Sequence, residues 1–144
     1  MLSKLVYPDS QPPDLQRHAR VLSTSVVVPE RVVTNDEIIQ RYDLIATDRA
    51  VQFSLGIQER RYADEDAYVS DLLAEAARQC LDRANISAEQ VDRIIYTKLM
   101  GDQMIPATAI KVVEKLGIRR GIPAFDILAA CSGFVHLMDM AIRY

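Results

Sequence analysis

The sequence is short of several residue types, and each shortage narrows the reading. It holds two cysteines in 144 residues, too few for a disulfide framework, and this argues for a reducing, cytoplasmic setting. It holds two histidines, and no three of the histidines and cysteines lie near one another in sequence, so no metal-ligand cluster is visible. No apolar run reaches the roughly 18 to 20 residues that a bilayer span needs. The opening stretch MLSKLVYPDSQPPDLQRHAR has no continuous apolar region, which argues against a secretory signal. Basic residues do not dominate either. The net charge is −3 and no basic stripe with interleaved aromatics occurs, so nucleic acid is not an expected partner.

What is present reads as one α/β unit. The 49% hydrophobic and 26% charged content is that of an ordinary globular protein. Residues 1–18, with Pro8, Pro12 and Pro13, suggest an extended N-terminal arm, and residues 19–144 a domain. The β-branched run from Arg20 to Pro29 predicts a strand. Thr34 and Glu37 have capping-box spacing, so a short helix is expected over 37–42. A second is expected over 48–55, with Gly56 as a left-handed stop.

The strongest periodicity covers 70–84, where Leu72, Leu73, Ala76, Ala77, Cys80, Leu81 and Ala84 share one helical stripe closed by Asn85. Ser87 and Gln90 suggest another cap before a strand over 93–98. Pro106 suits the first turn of a helix running to Leu116, with Gly117 as its stop. The final stretch, FDILAACSGFVHLMDMAIRY, reads as a strand, a small-residue turn and a helix. Alternating strands and helices predict a layered domain with a mixed, mostly parallel sheet flanked by helices.

Cys131 stands on that last turn between Ala130 and Ser132. Small neighbours permit a sharp bend and leave room for a substrate. A thiol at the start of a helix faces unpaired N–H groups, which favour the nucleophilic thiolate and could hold an oxyanion formed at a thioester carbonyl. From the residues alone, an inert structural cysteine fits equally well. Cys80, on an apolar helical stripe, reads as structural. Neither histidine serves Cys131: at about 100° per residue, His136 would point roughly 140° away from it, and His18 lies in the arm.

From Val21 onward the chain resembles the N-terminal portion of a ketosynthase III, the β-ketoacyl-acyl-carrier-protein synthase III branch of the thiolase-like superfamily. The resemblance rests on VLSTSVVVPERVVTNDEI, GIQERRY, SDLLAEAARQCLDRANISAEQVDRIIY, IPATAIKVVEKLG and, most specifically, AFDILAACSGFVHLMDMA. It implies that Cys131 accepts an acyl group from a thioester and passes it to a malonyl-type extender or another nucleophile, in fatty acid or polyketide-like biosynthesis. No metal or other cofactor is implied.

The resemblance also implies needs that lie outside this sequence. A ketosynthase III uses a histidine and an asparagine from its second half, so activity is expected only with a complementary C-terminal chain, and a homodimer-type mate is expected too. Without the second half, the reading is of a thiolase-like domain left incomplete, with an exposed helix face and an unpaired sheet edge. Met104 and Ile105 fall where the family closes its acyl pocket; an isoleucine there would favour a short or branched acyl group. Coenzyme A-primed members stack adenine on a tryptophan followed by an arginine. Here Ala50 and Ser54 occupy those places, which shifts the expected donor toward an acyl-carrier protein. Arg60, Arg61, Arg119 and Arg120 are the basic residues expected to receive an acidic carrier. The competing expectations are a non-catalytic scaffolding subunit and, more remotely, an unrelated thiol hydrolase, which would need a histidine beside Cys131.

Overall fold

The computed structural model describes residues 19–144; the expected N-terminal arm, with His18, lies outside them. Four short strands and five helices follow in order: β1 (Arg31–Thr34), α1 (Asn35–Arg41), α2 (Asp48–Leu55), β2 (Glu59–Tyr62), α3 (Val69–Ala84), β3 (Ile94–Thr97), α4 (Thr108–Lys115), β4 (Ala124–Ile127) and α5 (Gly133–Arg143). β1 and β2 form an antiparallel pair with Arg31 opposite Tyr62 and Thr34 opposite Glu59. β3 and β4 form a parallel pair with Ile94 opposite Ala124 and Thr97 opposite Ile127. The two pairs are separate sheets, so parallel pairing is confined to one of them. The parallel pair joins through α4, the crossover that parallel strands require.

Local chemistry sets most boundaries. Thr34 accepts from the Glu37 N–H at 3.2 Å and so starts α1. The reciprocal half of the capping box is absent, because the Glu37 carboxylate accepts instead from Arg31 at 3.0 Å. Gly56 at φ 69° and Asn85 at φ 54° end α2 and α3 in the left-handed conformation. Ser87 and Gln90 form a complete capping box around a single 3-10 turn, Ala88–Gln90. Pro106 stands two residues before α4 rather than within it.

The predicted strand over 20–29 is not a strand. From Leu22 to Pro29 its residues alternate between exposed and half-buried, the period of a strand. It nevertheless has no ladder partner among the described residues, and side chains hold it to α3 instead. Ser23 Oγ donates to Cys80 O at 2.7 Å and Ser25 Oγ to Ala76 O at 2.6 Å. Cys80 Sγ lies 3.3 Å from Ser25 Oγ, which gives this cysteine a polar anchoring contact on the stripe.

The core is small. Its buried apolar side chains are Ala74 of α3, Ala109 and Val112 of α4, and Ile118, while Val33 is the buried side chain of the β1–β2 pair. Small residues at the α3–α4 contact let the helices approach closely. By contrast, Phe53, Met100, Met104, Ile105, Leu128, Phe134 and Val135 are exposed large apolar residues. No helix of the described residues is long and apolar enough to cross a membrane.

Candidate active site

Cys131 is exposed and lies between β4 and α5, on a single 3-10 turn, Ala130–Ser132, that runs into the helix. It therefore precedes the helix by two residues rather than standing in its first turn. The bend depends on the residue before it. Ala130 has φ 44°, in the left-handed region that costs a residue with a Cβ about 1–2 kcal/mol. Strain of this kind persists only where the surroundings over-determine the backbone. Ser132 Oγ donates to Ala129 O at 2.8 Å, closing the turn on itself, so no side chain caps the first N–H groups of α5.

Gly133 is the other fixed point. A Cβ at this position would overlap the Thr97 side chain, so the start of α5 rests directly on the end of β3. The cysteine is thereby held at the C-terminal end of the parallel pair, where open α/β sheets present their ligand-binding crevices. His136 is exposed on α5 and lies by Asp139, whose carboxyl is held below its usual range chiefly by the hydrogen bond from Arg143. No hydrogen bond joins His136 to Cys131 among the described residues; since Cys131 lies before α5, the helical-wheel angle expected between them does not apply.

A cleft of about 720 Å³ opens at the same end of the sheet, between β4 and the loop that follows β3. Lys98, Met100, Met104, Phe125, Asp126 and Leu128 line it. Met104, one of the two expected acyl-pocket residues, is thus in its wall; Ile105 is next to it and exposed.

Two aspartates that sequence reasoning missed organise this region. Asp126, on β4, accepts from the N–H groups of Thr108 and Ala109 at 2.8 Å each, and from Lys98 Nζ at 2.5 Å. It thus caps α4, which has no side-chain cap of its own. Burial pushes the Asp126 carboxyl up, but the hydrogen bonds from Lys98, Ala109 and Thr108 and the lysine charge outweigh it and hold the group below 3.8. Asp102 plays the corresponding part for α3, accepting from the Ser70 N–H at 3.0 Å, with Lys111 Nζ 3.4 Å away. Its net shift is also downward, with burial opposed by Ser70 and Lys111. No periodicity announces such caps, because each partner lies at least 17 residues away in sequence.

The four candidate arginines fall on different elements. Arg60 and Arg61 lie on β2. Arg60 donates to Asn35 Oδ1 at 2.7 Å, and Asn35, itself buried, donates to Asp48 Oδ1 at 2.7 Å and Ile57 O at 2.8 Å. Arg61 donates to Glu30 O at 3.0 Å. Arg119 and Arg120 sit in the α4–β4 connection, where Arg120 is tied to Glu89 O, Val91 O and Asp92. The Arg119 guanidinium has no hydrogen-bond partner among the described residues. Ala50 and Ser54 face each other along α2, with Ser54 Oγ donating to Ala50 O at 2.8 Å. No group of three His, Cys, Asp or Glu among the described residues could hold a metal ion.

With this geometry in hand, comparison with known proteins gives one consistent answer. The described residues carry part of a thiolase-like α/β fold. Within that class, the chain corresponds to the N-terminal portion of the ketosynthase III branch. It is 38% identical over 128 residues to the β-ketoacyl-[acyl-carrier-protein] synthase III of Neisseria meningitidis serogroup A, covering 89% of this chain and 39% of that protein. Its fold matches the crystal structure of 3-oxoacyl-[acyl-carrier-protein] synthase III from Aquifex aeolicus VF5 with a TM-score of 0.75 and 36% identity, over 83% of this chain and 38% of that one. It also matches OleA of Xanthomonas campestris (the H285D variant) with a TM-score of 0.75 and 33% identity, over 85% and 38% of the two chains. No family model matches. The chain thus spans about two fifths of the length of the curated relatives it matches.

Proposed function

We propose that Cys131 is the acyl-accepting nucleophile of a ketosynthase III-type acyltransferase. The observation that carries this reading is the placement of an exposed thiol on a strained turn at the C-terminal end of the parallel pair, the end at which an apolar cleft reaching Leu128 also opens. In the first half-reaction the sulfur attacks the thioester carbonyl of an acyl donor. The C–S bond to the donor breaks, and the donor leaves as a free thiol. The amides at the start of α5, not occupied by side-chain caps, are available to the oxyanion. In the second half-reaction a malonyl-type extender loses carbon dioxide. The resulting carbanion attacks the acyl carbonyl and expels the cysteine thiolate. A different nucleophile at this step would give an ester or amide instead.

Among the described residues no histidine hydrogen-bonds to Cys131; the base and the oxyanion partner of the second half-reaction belong to the family's second half. A homodimer-type mate and a cytoplasmic setting belong to the same proposal, as does a role in fatty acid or polyketide-like biosynthesis. The donor is an acyl-carrier protein or an acyl-coenzyme A. A carrier is favoured because α2 presents Ala50 and Ser54 rather than an adenine-stacking pair. Arg119 is the best placed of the four arginines to meet an acidic carrier, since Arg60, Arg61 and Arg120 already hold internal partners. Met104 and Ile105 border the acyl site.

Intact mass after incubation with acyl-coenzyme A and acyl-carrier donors tests the proposal. The expected result is one acyl adduct, lost in Cys131→Ala and kept in Cys80→Ala. A scaffolding role, the reading favoured by the lack of a nearby base, requires no adduct even when a complementary half is supplied.

A further inference from the structure

The loop between β3 and α4 is exposed along most of its outer side, yet its inner side is pinned at three points. At its start, Lys98 is paired with Asp126, and the lysine and aspartate side chains are 14% and 8% exposed. At its middle, Gly101 lies so close to the buried Thr108 hydroxyl that a Cβ would collide with it, and that Cβ would also come within about 3 Å of Lys98 Nζ. Just beyond, the Asp102 side chain is fully buried, one oxygen on the Ser70 N–H and the other facing Lys111. A fully buried carboxylate is tolerated only when paired and hydrogen-bonded, so the three partners must be placed together. They come from α3, α4 and the loop itself.

From this arrangement we infer that Asp102 is a positioning residue for acyl-chain selection. By fastening the loop to α3 and α4, it presents Met100 and Met104 as a preformed wall of the cleft and so limits the acyl groups that reach Cys131. The inference rests on the proposed role of Cys131, but its first consequence can be read without any chemistry. A loop with exposed apolar side chains and no secondary structure would ordinarily move on the nanosecond scale. The anchors remove that freedom, since withdrawing Asp102 leaves the Ser70 N–H and the Lys111 ammonium uncompensated. Asn in place of Asp keeps an oxygen for Ser70 but gives up the charge for Lys111.

The test has two arms on the same variants. Backbone 15N relaxation of residues 99–105 is expected to give order parameters of about 0.85 in the wild type and below about 0.6 in Asp102→Ala, with Asp102→Asn between them. Lys111→Met, which leaves Asp102 its Ser70 contact, keeps the measurement meaningful if Asp102→Ala does not fold; it is expected to loosen the same residues. In the second arm, the ratio of acylation rates with eight-carbon and two-carbon donors is expected to change about tenfold in Asp102→Ala and to return toward wild type in Asp102→Asn. A wild-type loop already mobile, or order parameters unchanged in both Asp102→Asn and Lys111→Met, overturns the inference. So does a loosened loop with an unchanged chain-length ratio. If no donor acylates Cys131, the proposed function fails, while the relaxation arm still decides whether Asp102 orders the loop.

Discussion

Gly133 and Thr97 meet so closely that the glycine has no room for a side chain: a Cβ would come within about 3 Å of the threonine Cβ and overlap its hydroxyl. The contact joins the first residue of α5 to the last residue of β3 and fixes where the turn carrying Cys131 can lie. Gly133→Ala is expected to lower stability by about 1–3 kcal/mol through overpacking, read as a drop in Tm. The same change should slow acylation of Cys131 at temperatures where the variant remains folded. Thr97→Ala in the same chain should recover part of both, because it removes the overlapping atoms.

Acid should act through Asp126 and Asp102. Both carboxyls are held below their ordinary 3.8 in the folded protein, so the stability they contribute is present above that value and is lost as pH falls through the lower, folded-state value. Tm is therefore expected to fall steeply below about pH 4. In Asp126→Asn the fall should be shallower and the Tm at neutral pH lower, as a pH series of thermal melts will show. A wild-type Tm flat down to pH 2 would contradict this assignment.

Asn35 is a hub whose loss should be felt at both ends of the antiparallel unit. It is buried, donates to Asp48 and to the Ile57 carbonyl, and accepts from Arg60. Asn35→Ala leaves those groups without their partner and is expected to cost about 1–3 kcal/mol, measured by denaturant titration. Loss of the Asp48 contact should also raise the Asp48 pKa toward its ordinary value, since the side chains of Gln52 and Asn35 are what lower it.

Ala130 offers a check on the bend itself. At φ 44° a β-branched side chain is more strained than alanine, so Ala130→Val is expected to destabilise the chain by about 1–2 kcal/mol. Ala130→Gly should remove that strain and leave Tm within a few degrees of wild type.

The helices were the legible part of the fold because their signals are local. The 70–84 stripe, Gly56, Asn85 and the Ser87–Gln90 box act over one or two turns, and α2, α3 and that cap lie where those residues place them. The strands were read less well because pairing is a tertiary matter. The β-branched run at 20–29 has strand chemistry and strand alternation but no ladder partner among the described residues, whereas Arg31–Thr34 and the charge-rich Glu59–Tyr62 pair because they meet each other. At the site, Cys131 was singled out by its small neighbours and its resemblance to a known pattern, and its exposure on the turn after β4 is what the structure adds. Asp102 and Asp126 were not, since an aspartate in a loop or strand looks solvated until the helix ends it caps are known. Arg60 and Arg120, expected from the sequence to receive an acidic carrier, each hold an internal partner that no local pattern announces.

The central claim is that the sulfur of Cys131 takes an acyl group from a thioester. Its most direct test is peptide mapping by mass spectrometry after brief exposure of the intact protein to a short-chain acyl thioester, followed by hydroxylamine treatment. The account predicts a hydroxylamine-labile acyl group on the peptide containing Cys131 and none on the peptide containing Cys80. Label on Cys80 alone, or on neither peptide with the complementary half present, would contradict it.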